Sequence, residues 1–177
     1  MNYKIPDFQS GGINILINIF LFFASNHFVM ISLIVANESH THIVSALLAG
    51  LFEDVEHSLT FEDIVDIFAD IDASDHHSTL LALNEDGDAV GVITVAESLS
   101  LSAGGRYGVI NELYVVPDYR SEGVGKMLMD FAKEIGQQQG WARIEVTTPG
   151  DEFDKTLRFY EREGFMKIGP RYKFMME

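Results

Sequence analysis

The spacing of hydrophobic residues changes repeatedly along this chain and predicts alternating strands and helices. Residues 30–36 form a short and mostly apolar run. Apolar residues spaced by three and four then predict a helix over about residues 42–57 and a second helix that begins at Thr60. Asp63 follows Thr60 by three positions, which indicates a capping box with aspartate in the place of the usual Glu or Gln.

The middle of the chain predicts a hairpin. Residues 78–83 and 89–96 have strand character and are joined by a turn that contains Asp86-Gly87, a pair that favours tight hairpins. Residues 98–105 are small and rich in serine and glycine, which indicates an exposed loop.

The next predicted strand leads directly into a helix. Residues 109–116 are rich in β-branched and aromatic residues, and Pro117 ends the strand because proline cannot donate to a ladder. Apolar residues then recur at spacings of three and four, which places them on one face of a helix. These residues are Val124, Met127, Leu128, Phe131 and Ile135.

The last part of the chain predicts a strand, a helix and two short strands. Residues 141–148 alternate as a strand. Residues 151–162 have the pattern of a helix, for which Gly164 is the cap. Residues 165–168 and 172–176 predict the final strands.

Composition fits one globular domain and limits its chemistry. The chain has 177 residues, of which 47% are hydrophobic, enough for a full core. It contains no cysteine, which excludes disulfides, thiolate catalysis and cysteine-based zinc sites and suits a reducing cytoplasm. His76 and His77 are adjacent and therefore point apart, so we expect no metal site there.

The net charge of −15 is unevenly distributed. Residues 1–105 hold fifteen acids against Lys4 alone and carry −14, whereas residues 106–177 hold twelve acids and eleven bases and carry −1. An acidic half repels phosphate backbones and attracts cations, so we expect a cationic partner and no nucleic acid. The alternative is that the acids merely solvate two surface helices.

The junction between residue 117 and the following helix has the properties of an anion site. A loop that enters a helix through Gly123 and Gly125 directs bare backbone N–H groups outward beside the positive end of the helix dipole. Such a site suits a phosphate, and Arg120 and Lys126 flank it. The residues of a P-loop and of the dinucleotide fingerprint are absent.

The pattern R-x-x-G-x-G after a strand ending Leu-Tyr-Val-Val-Pro strongly resembles the acetyl-CoA signature of the GNAT superfamily of N-acetyltransferases. Residues 157–165, with Phe-Tyr followed by Gly-Phe, resemble the second signature of that family. The resemblance covers roughly residues 30–177 and implies a single α/β (α+β) GNAT-like domain, of which residues 30–36 resemble the opening strand. In that domain a mixed central sheet of about six to seven strands is flanked by about four helices. Residues 1–29 fall outside it as a hydrophobic N-terminal extension.

The resemblance also implies where acetyl-CoA, the co-substrate, binds. In this family the loop amides hold the pyrophosphate, and the backbone of the preceding strand pairs with the pantetheine arm and polarises the acetyl carbonyl. An asparagine that recurs seven residues before the signature tyrosine is replaced here by Phe153, which removes one expected coenzyme contact. The coenzyme-binding residues implied are Leu113, Tyr114, Val115, Arg120, Ser121, Glu122, Gly123, Val124, Gly125 and Lys126.

Two side chains are candidates for catalysis. Amine acetylation needs a base, because an aliphatic ammonium with a pKa of about 10 is almost wholly protonated at pH 7. Many GNAT enzymes carry a carboxylate on the motif strand, which makes Glu112 the candidate, with Glu145 and Glu97 as reserves; alternatively, Glu112 only pairs with a cation. Tyr160 matches the tyrosine of the second signature and would act as an acid for the leaving thiolate, or else only pack on the coenzyme.

The resulting hypothesis is a cytoplasmic N-acetyltransferase that moves an acetyl group from acetyl-CoA to a primary amine of a cationic small molecule or peptide. The resemblance implies direct attack in a ternary complex, and the absence of cysteine agrees, because no acetyl-cysteine intermediate can form. The alternative is a non-catalytic GNAT-like module that binds acyl-CoA. A homodimer is an open alternative to a monomer.

The N-terminal extension allows several interpretations. Residues 8–37 contain no Asp, Glu, Lys or Arg, but a spanning helix needs about twenty apolar residues and would have to include the strand at residues 30–36. Membrane contact by residues 13–29 is therefore not favoured, nor is a signal peptide, because Lys4 is offset by Asp7. An interfacial helix, an extra strand and an upstream extension before a start at Met30 stay open.

Overall fold

The computed structural model describes residues 18–24, 27–148, 150 and 153–176. Within them, a mixed sheet has helices on both faces, which is the predicted α/β class. The strands are β1 (Asn18–Ala24), β2 (His27–Val35), β3 (His77–Leu83), β4 (Ala89–Ser100), β5 (Gly105–Val115) and β6 (Ile144–Val146). The helices are α1 (Thr41–Asp54), α2 (Phe61–Asp72), α3 (Val124–Gln138) and α4 (Asp154–Arg162).

The sheet follows the chain order from β1 to β6, as a meander of antiparallel strands that ends in one parallel pair. Each neighbouring pair from β1 to β5 is antiparallel, whereas β5 and β6 are parallel because α3 crosses over between them. The first turn of α2 is capped as the sequence predicts. The Thr60 hydroxyl accepts a hydrogen bond from the Asp63 N–H at 3.1 Å, and the Asp63 carboxylate accepts one from the Thr60 N–H at 2.9 Å.

The two faces of the sheet bury separate hydrophobic clusters. On one face α3 and α4 cover the strands with side chains such as Leu128, Phe131 and Tyr160. On the other face α1 and α2 cover them with side chains such as Val44 and Phe68. The periodic apolar residues of the predicted helices therefore provide the core, since burying that stripe is the main source of helix stability in a protein.

Trp141 fastens the start of β6 against the sheet. A Cβ atom at Gly108 of β5 would lie 2.2 Å from the indole ring, and one at Gly136 of α3 would lie 2.8 Å from it. Glycine is therefore required at both positions for this close approach. The indole Nε1 donates a hydrogen bond of 2.9 Å to Glu97 on β4.

Two predictions about the strands are wrong. The domain itself has five strands, β2 to β6, and not six to seven; β1 from the N-terminal extension adds a sixth at the outer edge. The predicted loop at residues 98–105 is shorter than expected, because β4 extends to Ser100 and β5 begins at Gly105, which leaves residues 101–104 as the turn.

The missing strands are the two predicted at residues 165–168 and 172–176. In the part of the chain that the structure describes, no backbone hydrogen bond joins these residues to β6. Only three residues of β6 are ladder-forming, and Gly169-Pro170 interrupts the segment, so pairing offers little gain. Its apolar side chains are instead 71 to 90% exposed: Met166, Ile168, Tyr172, Phe174, Met175 and Met176.

The N-terminal extension contributes a strand where it is described. Residues 18–24 form β1, which pairs with β2, in keeping with the extra-strand alternative. Strand β2 begins at His27, three residues before the predicted strand. Residues 1–17 lie outside the described residues. No helix in the ranges that the structure describes has the length and hydropathy needed to cross a membrane.

Candidate active site

The ladder between β5 and β6 stops early and opens a cleft. The parallel pairing covers only residues 108–110 of β5. At the same point the pairing with β4 shifts, because Thr94 faces Glu112 while the next residue, Val95, faces Ile110. Asn111 is therefore the extra residue of a β-bulge, a feature that bends a strand and redirects its side chains. Residues 111–115 are left with an edge that β6 does not cover, and this edge includes the predicted pantetheine-binding residues.

At the upper end of this cleft, the loop after β5 exposes a run of backbone N–H groups. None of the N–H groups of residues 121–126 donates a hydrogen bond to another of the described residues. Gly123 precedes α3 with φ 84°, a left-handed conformation, and Ser121 shares a positive φ of 65°. The only atom near a Cβ built on Gly123 is the Met127 methyl at 3.9 Å, so this side of the loop is open. Free amides at a helix N-terminus form an anion site.

The two flanking cations are both engaged with acids of this chain. The Arg120 Nε donates to the Val115 carbonyl at 2.8 Å, and its Nη2 donates to Asp54 at the end of α1 at 2.7 Å. The Lys126 ammonium donates to Asp130 at 2.6 Å, and this hydrogen bond raises the lysine pKa. Arg120 thus ties the loop to α1, while Lys126 remains a permanent positive charge beside the open amides.

Glu112 directly follows the bulge, on the stretch of β5 that β6 does not cover, and it is partly buried. Its carboxylate accepts a hydrogen bond from the Thr94 hydroxyl, and its backbone N–H donates to the same hydroxyl oxygen at 3.1 Å. Burial raises the pKa of Glu112, and the Thr94 hydrogen bond opposes part of that rise. Among the described ion pairs, none involves Glu112.

The two reserve carboxylates are both paired with arginine. Glu97 accepts from Trp141 and Arg106, and these contacts, with Trp141 as the larger, lower its pKa despite burial. Glu145 lies 2.6 Å from the Arg143 guanidinium. The lowered pKa makes Glu97 a weak proton acceptor, because the charged form of its carboxylate is already stabilised.

Tyr160 lies on α4 and is 8% exposed. Its ring makes edge contacts with Phe159 and Phe165, at centroid distances of 5.3 and 5.5 Å. Burial raises the pKa of Tyr160 to about 12, so the hydroxyl keeps its proton throughout the neutral range. Phe159 also lies 3.5 Å from a Cβ built on Gly125, which brings α4 and the amide loop into direct contact.

An acidic surface lies at the same end of the domain as the amide loop. The bond between Asp54 and Arg120 joins the end of α1 to that loop. From there the exposed acids continue through the α1–α2 connection and along the outer face of α2. They are Glu53, Asp54, Glu56, Glu62, Asp63, Asp66 and Asp70. No group of three or more potential metal ligands occurs among the residues that the structure describes.

Two residues of this region had no sequence signal. The sequence places Thr94 only within a predicted strand, yet Thr94 forms two hydrogen bonds with Glu112. It places Asp54 only within a predicted helix, yet Asp54 binds Arg120. Their roles depend on strand register and helix packing, which residue patterns do not contain.

A comparison with known families matches residues 41–165 to the acetyltransferase (GNAT) family. The chain is 30% identical over 139 residues to the aminoalkylphosphonate N-acetyltransferase of Salmonella typhimurium, a match that covers 77% of this chain and 86% of the relative. It is 32% identical over 96 residues to the streptothricin acetyltransferase of Streptomyces lavendulae, which covers 51% of this chain and 46% of that protein.

Solved structures show the same fold. An aminoglycoside N-acetyltransferase in complex with CoA superposes with a TM-score of 0.73 at 17% identity, over 87% of this chain and 99% of that one. A probable acetyltransferase superposes with the same TM-score of 0.73 at 20% identity, over 82% of this chain and 97% of that one.

Proposed function

Because the chain belongs to the GNAT family of acetyltransferases and is an acetyl-CoA-dependent N-acetyltransferase, we propose that its acceptor is a primary amine of a cationic small molecule. We further propose that this amine attacks the thioester directly in a ternary complex. The observation that carries the proposal is Glu112, a partly buried carboxylate with a raised pKa at the bulge beside the open cleft.

Glu112 is the proposed base. A general base works best when its pKa lies near the working pH, and burial moves the pKa of Glu112 in that direction. The paired states of Glu97 and Glu145 support this choice over the reserves. In the proposed reaction, the acceptor ammonium loses a proton, directly or through water, to the Glu112 carboxylate, and the neutral nitrogen attacks the thioester carbon.

Tyr160 is the proposed acid. As the new C–N bond forms, the carbonyl oxygen carries negative charge until the C–S bond breaks and the thiolate leaves. The Tyr160 hydroxyl stays protonated and donates to the departing sulfur, which yields the thiol and the amide. The nitrogen carries a positive charge after its attack, and it gives its second proton to solvent as the amide forms. The tyrosinate recovers a proton from solvent and Glu112 releases its proton to solvent, so the reaction releases one net proton.

The amide loop is the proposed seat of the coenzyme pyrophosphate. The six consecutive N–H groups of residues 121–126, which donate to none of the residues that the structure describes, suit its oxygens, and Lys126 adds a charge. Arg120 binds Asp54 and the Val115 carbonyl through its guanidinium. We propose that it shapes the loop and contributes its backbone to the site.

The acidic surface between α1 and α2 supports a cationic acceptor. Exposed carboxylates focus a negative potential at the end of the domain where the loop lies, which attracts polycations. The relatives differ in this respect, since an aminoalkylphosphonate carries an anionic group and a streptothricin or an aminoglycoside carries several amines. The charge of this chain favours the second class.

A panel of amines tests the acceptor class. We expect diamines, polyamines and aminoglycosides to release thiol from acetyl-CoA with kcat/KM at least about ten-fold above aminoalkylphosphonates, because attraction to a charge cluster contributes on the order of 1 kcal/mol or more. The acceptor KM should rise when salt is raised from 50 to about 500 mM, because screening weakens this attraction.

The same panel separates the alternatives. Preference for the phosphonate-bearing amines, or a KM insensitive to salt, would contradict the cationic acceptor without affecting the enzyme assignment. Binding of acetyl-CoA without thiol release for any amine would instead indicate a non-catalytic acyl-CoA-binding module. The proposed compartment is the cytoplasm, because a chain with no cysteine gains nothing from an oxidising one.

The exposed C-terminal segment supports a homodimer. Its six apolar side chains are 71 to 90% exposed and together present roughly 800 Å². That area matches what one partner contributes to a stable interface of standard size. We propose that a second copy covers it.

Light scattering after gel filtration should give twice the monomer mass for the wild type, and the double substitution Phe174→Asp with Met176→Asp should give the monomer mass. A wild-type monomer at about 50 µM, which is far above the Kd of most such interfaces, would contradict the proposal.

A further inference from the structure

The β-bulge at Asn111 precedes Glu112, which lies opposite Thr94 of β4. The Glu112 N–H donates a hydrogen bond to the Thr94 hydroxyl oxygen at 3.1 Å. The same hydroxyl donates a hydrogen bond to the Glu112 carboxylate. Main chain and side chain of Glu112 are therefore both tied to one atom, and this closes a ring that restricts the side-chain rotation of Glu112.

We infer that Thr94 is a positioning residue for acetyl transfer, which holds the Glu112 carboxylate at the mouth of the cleft and keeps one of its oxygens free for the acceptor proton. This inference rests on the proposed role of Glu112 as the base. Thr94 is 1% exposed and lies on β4, so it does not reach the substrates itself and acts only through Glu112.

The hydroxyl has two expected effects on the reaction. Its donated hydrogen bond stabilises the ionised carboxylate, so its loss should raise the pKa of Glu112 further. Its two bonds also fix the direction of the carboxylate, so its loss should lower the rate even where Glu112 is ionised. A pH profile separates the two effects, because the first moves the acid limb and the second lowers the plateau.

Thr79 provides a matched control. It faces Thr94 from the adjacent strand β3, is 4% exposed, and its hydroxyl has no hydrogen-bond partner within the described part of the chain. Thr→Val at either position makes the same chemical change on the same side of the sheet. Only the change at residue 94 removes a contact with Glu112.

The groups that face Glu112 do not complicate the profile. Titratable residues on the neighbouring elements include Tyr114 on β5, Glu97 on β4, and His42, Glu53 and Asp54 on α1. None of them has an ion pair or hydrogen bond to Glu112 among the described contacts, and the shift of its pKa has only burial and Thr94 as causes. The acid limb should therefore report Glu112.

The test measures kcat and both KM values against pH for Thr94→Val, Thr94→Ser and Thr79→Val. We expect Thr94→Val to move the acid limb up by about one pH unit and to lower the plateau by about ten-fold, with an unchanged KM for acetyl-CoA. Thr94→Ser should restore both values, since serine keeps the hydroxyl. Thr79→Val should match the wild type in rate and should not melt earlier, because it removes an unpaired buried hydroxyl.

Equal effects of the two valine substitutions, or an unmoved limb and plateau in Thr94→Val, would overturn the inference. The experiment also includes Thr94→Val combined with Glu112→Gln, which should be no slower than Glu112→Gln alone. If Glu112→Gln is as active as the wild type, the proposed base is wrong. If Glu112→Gln is inactive but Thr94→Val is normal, only the role of Thr94 fails.

Discussion

Replacement of Glu112 by glutamine should lower acetyl transfer at pH 7 by about a hundred-fold or more, in the range that a general base contributes. Burial raises the pKa of the Glu112 carboxylate, and glutamine keeps an oxygen for the Thr94 hydroxyl but cannot take a proton. The defect should shrink above about pH 9, where more of the acceptor amine is already neutral.

The measurement is the pH profile of kcat/KM together with acetyl-CoA affinity by calorimetry. Affinity should stay within about two-fold, because the coenzyme is expected on the amide loop and not on this side chain.

The thermal stability of the variant provides a second readout. A raised folded-state pKa favours the protonated acid, so ionisation of Glu112 lowers stability as pH rises from the unfolded pKa through the raised value. The Gln variant should therefore melt no earlier than the wild type at pH 7; an unchanged rate profile would move the base elsewhere.

Tyr160→Phe should have a different signature. It removes only the hydroxyl and keeps the ring contacts with Phe159 and Phe165. We expect kcat to fall by about ten- to a hundred-fold while the acid limb stays in place, since the pKa of about 12 lies far above it. An unaltered kcat would leave the tyrosine with a packing role alone.

Gly123→Val should raise the KM for acetyl-CoA by about a hundred-fold, with a smaller change in kcat. Gly123 has φ 84°, a conformation that costs a β-branched residue roughly 1–3 kcal/mol. A side chain at this position would extend into the open space beside the loop N–H groups. A valine would both strain the loop and fill the space intended for phosphate oxygens. Steady-state kinetics and coenzyme titration measure the effect.

Gly140→Val is the matched control for Gly123→Val. Gly140 follows the other end of α3 with φ 70°, and a Cβ there would meet nothing within 4 Å. Its valine variant should lose a similar amount of stability in thermal melts but should keep the wild-type KM for acetyl-CoA. Equal KM increases in the two variants would show that strain, and not the loop, controls affinity, and would count against the coenzyme site.

Much of the fold follows from local patterns. The capping box at Thr60, the hairpin between β3 and β4, and the amphipathic stripe of α3 each depend on residues close in sequence, whose geometry is set by backbone sterics and periodicity. The glycine-entered loop belongs to the same class. Gly123 has a positive φ just before α3, and glycine adopts this conformation without steric cost.

The errors occurred where distant partners decide. The C-terminal segment has a strand-like pattern, but a strand is stable only beside another, and β6 offers three residues. The composition of residues 98–105 predicts a loop, yet residues 98–100 pair with residues 105–107 as extensions of β4 and β5. Composition predicts the tendency of a segment, and the neighbouring strand determines whether it is realised.

The amino-acid sequence alone determined four things: the class of fold, the family resemblance, the amide loop and the two side chains proposed for catalysis. Each of them depends on residue type and short-range spacing. Only the tertiary structure shows that Arg120 binds Asp54, that Glu97 and Glu145 form ion pairs with arginines, and that Thr94 donates a hydrogen bond to Glu112. The physical reason is that burial and charge pairing set the state of a carboxylate, and both arise from packing between segments far apart in the chain.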